Sequence, residues 1–264
     1  MIRIIALALG VGLLAFLGGA VAERNGALDG LALDRLVAPK SESAADARPP
    51  RVPRYRAILA AGDASIPNFD NAALTLANRL KRSGVETTVL TSDGSLVNDW
   101  RSYATAWTID AALSDVGQWE ACLVFVTSHG NEYGLVMGMD NAERYYLTPA
   151  RLAEILAYRC GERPTVAILS GCHTGTFLTA LMKTENRIIL TAARKDRTSF
   201  GCSADTSFTY FDECLLEAMG DAGTWEGIFT RTKVCVAEKE RAEDFEPSLP
   251  QAFFGRAVKD LGIE

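Results

Sequence analysis

The amino-acid sequence predicts an α/β fold in which a mainly parallel sheet carries helices on both faces. After Tyr55, short apolar runs of strand length alternate with amphipathic segments of helical length. Two of the runs, Ala121–Thr127 and Thr165–Ser170, are apolar nearly throughout. Strands covered on both faces have this continuous apolar character, and strand–helix alternation is typical of parallel sheets. We therefore predict one α/β domain over residues 55–264.

The individual elements follow from local signals. Asn68–Ser83 has apolar residues at helical spacing on one face and is followed by Gly84, a typical helix stop. Thr148 and Pro149 form a good helix start, a capping side chain followed by proline. The predicted strands are 55–61, 85–91, 121–127, 165–170 and 187–192, and the predicted helices are 68–83 and 149 to about 160.

The first 22 residues differ from the rest of the chain. Arg3 precedes an uncharged apolar stretch that ends in Ala20-Val21-Ala22. This pattern is typical of a secretory signal peptide, although the same length of apolar chain could cross a bilayer as an uncleaved anchor. We expect export to the periplasm or the cell exterior, with a membrane partner only if this segment is retained. Residues 23–54, rich in charges and proline, are interpreted as a linker or pro-segment.

Composition excludes several classes of function. The apolar content of 48% is sufficient for a globular core, and the formal net charge is -6 without a dense basic stretch, so we expect no nucleic-acid partner. Among six cysteines there is no C-x-x-C pair, which argues against thioredoxin-like and zinc-ribbon sites. Cys122 and Cys214 are interpreted as buried apolar thiols. If Cys172 is free for chemistry, at least one other cysteine is also unpaired.

The two histidines of the chain follow two predicted neighbouring strands. One strand leads into Ser128-His129-Gly130, and the other leads into Ser170-Gly171-Cys172-His173. Ligands of parallel α/β sheets bind at the carboxyl ends of the strands. We therefore expect a thiol, an imidazole and several glycines around one crevice.

These residue types suit acyl transfer. An imidazole can take the proton of a thiol and later return it to a leaving amine. A helix predicted to start near Thr174 would direct its positive end toward Cys172 and favour a thiolate. Backbone N–H groups of Gly130 and Cys172 are candidates for an oxyanion hole.

The motifs resemble those of the legumain-type cysteine peptidases, the C13 family of the caspase-like clan. His129-Gly130 and the Cys172 turn stand a little over forty residues apart, as in that family, and residues 190–193, 198–202 and 251–255 resemble its downstream stretches. The resemblance covers about residues 55–255. It implies a caspase-like three-layer sandwich with a six-stranded sheet, His129 as general base, Cys172 as nucleophile, and peptide or protein substrates. It implies no cofactor.

The chain departs from the family pattern where legumains bind asparagine. Asp70 stands at the position of the family's arginine, and Ser170 replaces a glutamate, while Asp212 matches a downstream acidic position. An acidic pocket would favour a basic side chain at the cut site. The alternative is that Asp70 only caps the following helix.

Three further features of the sequence have more than one interpretation. The resemblance makes Thr198 and Ser199 candidates for substrate contact, unless their charged loop is simply solvated. His173 is either a second proton carrier, a substrate contact or a tolerated polar residue at the rim. A metal site formed by Cys172, His173 and His129 lacks a fourth ligand and the usual spacing, so we expect no metal.

Three functions are compatible with these motifs. The first is peptide hydrolysis by an endopeptidase. The second is transamidation, which passes the same acyl-thioester to an amine. The third is a binding protein that has kept the fold without turnover, and the presence of both His129 and Cys172 argues against it.

Overall fold

The computed structural model describes residues 52–263 except 98, 140–142, 204 and 222. The predicted signal peptide and nearly all of the predicted linker lie outside the described residues. Along the described chain the elements are β1 (Tyr55–Ala61), α1 (Asn68–Arg82), β2 (Glu86–Thr91), α2 (Ala106–Leu113), β3 (Ala121–Thr127), β4 (Gly130–Asn131), β5 (Gly134–Met139), β6 (Glu143–Leu147), α3 (Pro149–Arg159), β7 (Thr165–Ser170), β8 (Arg187–Thr191), α4 (Tyr210–Ala218), α5 (Trp225–Ala242) and β9 (Gln251–Phe254). None of these helices is both long and apolar enough to span a bilayer.

The main sheet has six strands in the order β2-β1-β3-β7-β8-β9. All neighbours pair in parallel except β8 and β9, which are antiparallel. Both central strands, β3 and β7, are buried along their whole length, as their continuous apolar sequences predict. The predicted mainly parallel six-stranded sheet is confirmed.

Two apolar layers cover the sheet. Leu123 and Phe125 of β3 point into a core with α1, α4 and α5, and Val124 and Val126 point into a second core with α2 and α3. This alternation follows from the two-residue period of a strand. Helices on both faces make the predicted three-layer sandwich, which is also confirmed.

The helix predicted to start near Thr174 is not formed. The chain makes only a 3-10 turn, Thr174–Phe177. Threonine and glycine are weak helix formers, and the N–H of Gly175 donates to Ala193 O at 2.8 Å, so a tertiary contact takes the place of helix propagation. A helix dipole directed at Cys172 is therefore excluded.

A second, antiparallel sheet of order β4-β5-β6 was not predicted. It lies in sequence between β3 and α3 and begins directly after His129. The N–H of Val136 in β5 donates to His129 O at 2.8 Å, which ties the end of β3 to this hairpin. The small sheet therefore fixes the backbone at His129.

The expectation that Cys122 and Cys214 are unpaired thiols is wrong. Cys122 of β3 is bonded to Cys160 at the end of α3, and Cys214 of α4 is bonded to Cys235 of α5. Pairing depends on which elements pack together, which the spacing of cysteines does not reveal. Cys172 and Cys202 are free, so the expectation of one further unpaired thiol is confirmed.

Candidate active site

The ends of β3 and β7 bring His129 and Cys172 to the same edge of the sheet. Thr127 pairs with Ser170 in register, and the N–H of Ser128 donates to Ser170 O at 3.1 Å. His129 and Cys172 each follow two residues beyond the paired Thr127 and Ser170. Since neighbouring strands are about 4.8 Å apart, the two segments run side by side.

Gly130 shows how closely the two segments approach. A Cβ atom at this position would lie 2.3 Å from the carbonyl oxygen of Cys172, a distance that real Cβ contacts essentially never show. Only glycine therefore fits against the backbone of the nucleophile candidate. A side chain here would displace the Cys172 turn.

The sulfur of Cys172 is half-buried, and its hydrogen-bonding contacts are with Ser199. The N–H of Ser199 donates to Sγ at 3.4 Å, while the carbonyl oxygen and Oγ of Ser199 lie 3.6 and 3.9 Å from the same sulfur. An N–H directed at the sulfur is a donor that a thiolate would accept. Ser199 itself is buried, whereas the neighbouring Thr198 is exposed.

The imidazole of His129 is held by packing. Its ring packs edge-to-face with Phe69 of α1, with ring centres 5.1 Å apart and an interplanar angle of 84°. Its ring nitrogens make no hydrogen bond within the part of the chain that the structure describes, and they are therefore available to other groups. A direct hydrogen bond to Cys172 is not formed in this state. Such bonds often tighten only when substrate is bound.

Two backbone N–H groups are available near the sulfur. The N–H of Cys172 donates to no described residue. Gly130 pairs with Leu135 next to the hydrogen-bonded pair of His129 and Val136. Because hydrogen-bonded and non-hydrogen-bonded pairs alternate in an antiparallel ladder, the Gly130 N–H is turned away from β5.

Asp212, in the first turn of α4, is fully buried beneath the ends of both strands. Thr127 Oγ1 donates to its Oδ2 at 2.7 Å. Burial raises the pKa of this carboxyl to about 6, and the hydroxyls of Thr127, Ser170 and Thr209 partly offset that rise. Ser170 Oγ and Asp212 Oδ1 nevertheless make no hydrogen bond of good geometry with any described residue.

Asp70 has different surroundings. It lies inside the first turn of α1, which has no side-chain cap, so the interpretation of Asp70 as a helix cap is wrong. Its carboxylate accepts a hydrogen bond from Thr91 Oγ1 at the end of β2. Burial raises its pKa, the Thr91 bond opposes that effect, and the charge of Asp93 raises the pKa further.

Asp63 and Asp93 were missed in the sequence. Asp63 is buried just beyond β1, and Asp93 follows β2, so these two carboxylates and Asp70 all belong to the carboxyl edge of β1 and β2. The sequence signal that could have identified Asp63 and Asp93 is their position, since each stands two residues after the end of a predicted strand. The structure therefore adds acidic groups on the Asp70 side of the edge.

His173 directly follows the nucleophile candidate and has left-handed backbone angles, φ 60° and ψ 13°. Its ring Nδ1 lies 3.0 Å from Lys195 O, and its N–H donates to Arg197 O at 2.8 Å. The ring is thus bound to a loop and is not a free side chain at the rim. Within the described residues, no cluster of three or more His, Cys, Asp or Glu side chains could hold a metal ion.

Comparison with protein families decides the class. Residues 111–258, more than half of the chain, match the model of the peptidase C13 family. The chain belongs to this family. The match includes His129, Cys172 and Asp212, whereas Asp70 lies before it. A search of curated proteins gave no match. Membership of the C13 family indicates cysteine peptidase or transamidase-type chemistry on peptide or protein substrates.

Proposed function

We propose that this C13 protein is a cysteine endopeptidase in which Cys172 is the nucleophile and His129 the general base. The observation that carries the proposal is the register of β3 with β7, which directs both segments to one sheet edge, with Gly130 packed on the Cys172 backbone. The available nitrogens of His129 and the Ser199 N–H at the sulfur support it.

The chemistry follows from these positions. His129 takes the thiol proton, and the Cys172 sulfur attacks the carbonyl carbon of the scissile peptide. The resulting oxyanion accepts hydrogen bonds from the N–H groups of Gly130 and Cys172, each worth about 3 kcal/mol in comparable enzymes. His129 then gives its proton to the leaving amine, which leaves an acyl-thioester. Water completes hydrolysis, whereas an amine nucleophile would complete transamidation.

We propose that the side chain bound before the cut is basic. Asp70 replaces the arginine of the legumain pattern, and Asp63 and Asp93 add negative charge at the same edge. Carboxylates pair with guanidinium groups through charge-assisted hydrogen bonds. We propose that Asp70, Thr198 and Ser199 contact the substrate. Ser170 and Asp212 were expected to do so as well, but both lie beneath the strand ends with essentially no exposed surface, so a direct contact from them is not supported.

We also propose that the protein is exported. Two disulfides join described elements, and such bonds persist in oxidising compartments. The apolar segment at residues 4–22 is consistent with this location.

Covalent labelling tests the nucleophile and its base. The protein would be treated with peptidyl acyloxymethyl ketones that carry Arg or Asn next to the reactive group, and adducts would be measured by intact mass. We expect one adduct, absent in Cys172→Ala and formed about a hundredfold more slowly in His129→Ala. Faster labelling by the Asn probe would contradict the basic pocket.

Cys202→Ala is the matched control, because Cys202 is the other free cysteine. Burial, with lesser contributions from the charges of Cys172 and Asp212, raises the pKa of the Cys202 thiol to about 12, so it is a poor nucleophile at neutral pH. This variant should keep the adduct. No adduct in the wild type would support the non-catalytic binding protein, and product analysis with an added amine would separate hydrolysis from transamidation.

A further inference from the structure

The residue after the nucleophile connects two parts of the site. His173 contacts the loop 194–199 at two carbonyl groups, those of Lys195 and Arg197. Two residues after Arg197, Ser199 reaches the Cys172 sulfur. One side of the loop is therefore bound to His173, and the other is bound to its neighbour Cys172.

The contact between His173 and Lys195 defines which ring nitrogen of His173 carries a hydrogen. A carbonyl oxygen only accepts, so Nδ1 of His173 must carry the hydrogen that is shared with Lys195 O. The backbone at His173 is in the left-handed region, which is unfavourable for a residue with a Cβ. A strained residue with two hydrogen bonds to one loop indicates that the loop contact offsets the strain.

Other hydrogen bonds hold the two ends of this loop. On the N-terminal side of the loop, Ala193 O accepts a hydrogen bond from the N–H of Gly175. On its C-terminal side, Phe200 O accepts one from the N–H of Tyr210. Between these points, the hydrogen bonds with the Cys172 turn come from His173 and from the sulfur itself, while Gly175 packs closely on the backbone of Arg194 and Lys195. Arg194 N–H donates to Ser248 O, and Arg197 pairs with Glu246, but neither partner belongs to the turn of the nucleophile.

We propose that His173 is a positioning residue that holds the loop 194–199 so that the Ser199 N–H stays directed at the Cys172 sulfur. The inference rests on the proposed function, since it takes Cys172 as the nucleophile. It assigns His173 neither proton transfer nor direct substrate contact, the two active roles that the sequence left open.

Three substitutions separate the side-chain hydrogen bond from the backbone conformation. Asparagine, aspartate and glycine all tolerate left-handed angles better than most residues. In His173→Asn the amide nitrogen takes the place of Nδ1 and can donate to Lys195 O. In His173→Asp an acceptor oxygen faces the same carbonyl, and His173→Gly leaves only the backbone N–H.

The rate of Cys172 labelling by the peptidyl ketone is the first measurement. His173→Asn should stay within about twofold of the wild type. The Asp and Gly variants should be roughly three- to tenfold slower, which corresponds to ~0.7–1.4 kcal/mol, the size of one hydrogen bond. Equal rates in all variants, or an Asn variant as slow as Gly, would overturn the positioning role.

Hydrogen exchange of peptides covering residues 194–201 is the second measurement, and it does not require activity. Exchange should be faster in the Asp and Gly variants than in the Asn variant and the wild type. Unchanged exchange in all three would overturn the inference even if labelling differed. If the wild type formed no Cys172 adduct, the proposed function would fail, while the exchange data would still decide whether His173 holds the loop.

Discussion

At the residue scale, the Asp212 carboxyl is buried where β3 and β7 end. Its pKa of about 6 lies above that of an unfolded aspartate, roughly 3.9. Between about pH 4 and pH 6 the folded protein therefore holds a proton that the unfolded chain has lost. The stability contributed by this group is complete below about pH 4 and decreases as the pH rises to about 6.

The loss of stability with rising pH that Asp212 causes gives a prediction for Asp212→Asn. Because asparagine does not ionise, the free energy of unfolding of the variant relative to wild type should rise by up to ~3 kcal/mol between pH 4 and pH 7. Urea unfolding at pH 4, 5.5 and 7 measures it. Asp205→Asn, at an exposed position, serves as the control. A stability difference that does not change with pH would contradict the raised pKa.

The catalytic candidates were predictable at this scale because each combined a chemical type with a position at a strand end. The contact of Ser199 with the sulfur has no local signal beyond the family resemblance. Its backbone N–H acts there, and any residue type supplies an N–H. Asp63 also could not be identified from the sequence, because its place beside Asp70 and Asp93 depends on which strands are neighbours.

At the element scale, α1 is joined to the loop after β8 through two asparagines. Asn68 is fully buried, and its Nδ2 lies within hydrogen-bond distance of Gly201 O and of both oxygens of Thr206. Asn71, one turn later, donates a single bond to Ser207 O near the surface. The next residue after Asn68 is Phe69, which contacts His129.

We expect Asn68→Ala to lower the free energy of unfolding by ~1–3 kcal/mol, because it removes a buried amide donor and leaves Thr206 O without this hydrogen bond. Gly201 O keeps the hydrogen bond from Thr206 Oγ1. Asn71→Ala should cost less than about 1 kcal/mol, since water can replace its exposed bond. Urea unfolding of both variants at pH 7 checks the comparison. Similar losses in the two variants would show that burial of the Asn68 amide is not the cause.

Element prediction succeeded where periodicity and caps agreed. β1 and β3 match their predicted bounds, and α3 begins at Pro149 with Thr148 as its cap. The prediction failed at the turn 174–177 and at the β4–β6 sheet. In the first case a tertiary hydrogen bond overrides local propensity. In the second, the two-residue strand β4 is too short to carry a pattern, and β5 and β6 form by antiparallel pairing with each other.

At the scale of the whole molecule, the numbers of free and disulfide-bonded cysteines can be measured by alkylation. All six cysteines lie in described residues, four in disulfides and two free. Alkylation of the denatured, unreduced protein should therefore modify two thiols, Cys172 and Cys202, and alkylation after reduction should modify six. Peptide mapping by mass spectrometry measures both numbers. Four or more modified thiols without reduction would contradict the pairing.

The sequence by itself determined the α/β class, the main strands and the positions of His129 and Cys172 after neighbouring strands, because apolar periodicity and strand-end chemistry are local properties. Only the tertiary structure decided the disulfide pairing, the surroundings of Asp70 and the loop contacts of His173 and Ser199. These depend on which elements pack together and on backbone groups that carry no side-chain identity. Long-range packing therefore sets the details of the candidate site, whereas its two proposed catalytic residues, His129 and Cys172, can be named from the sequence.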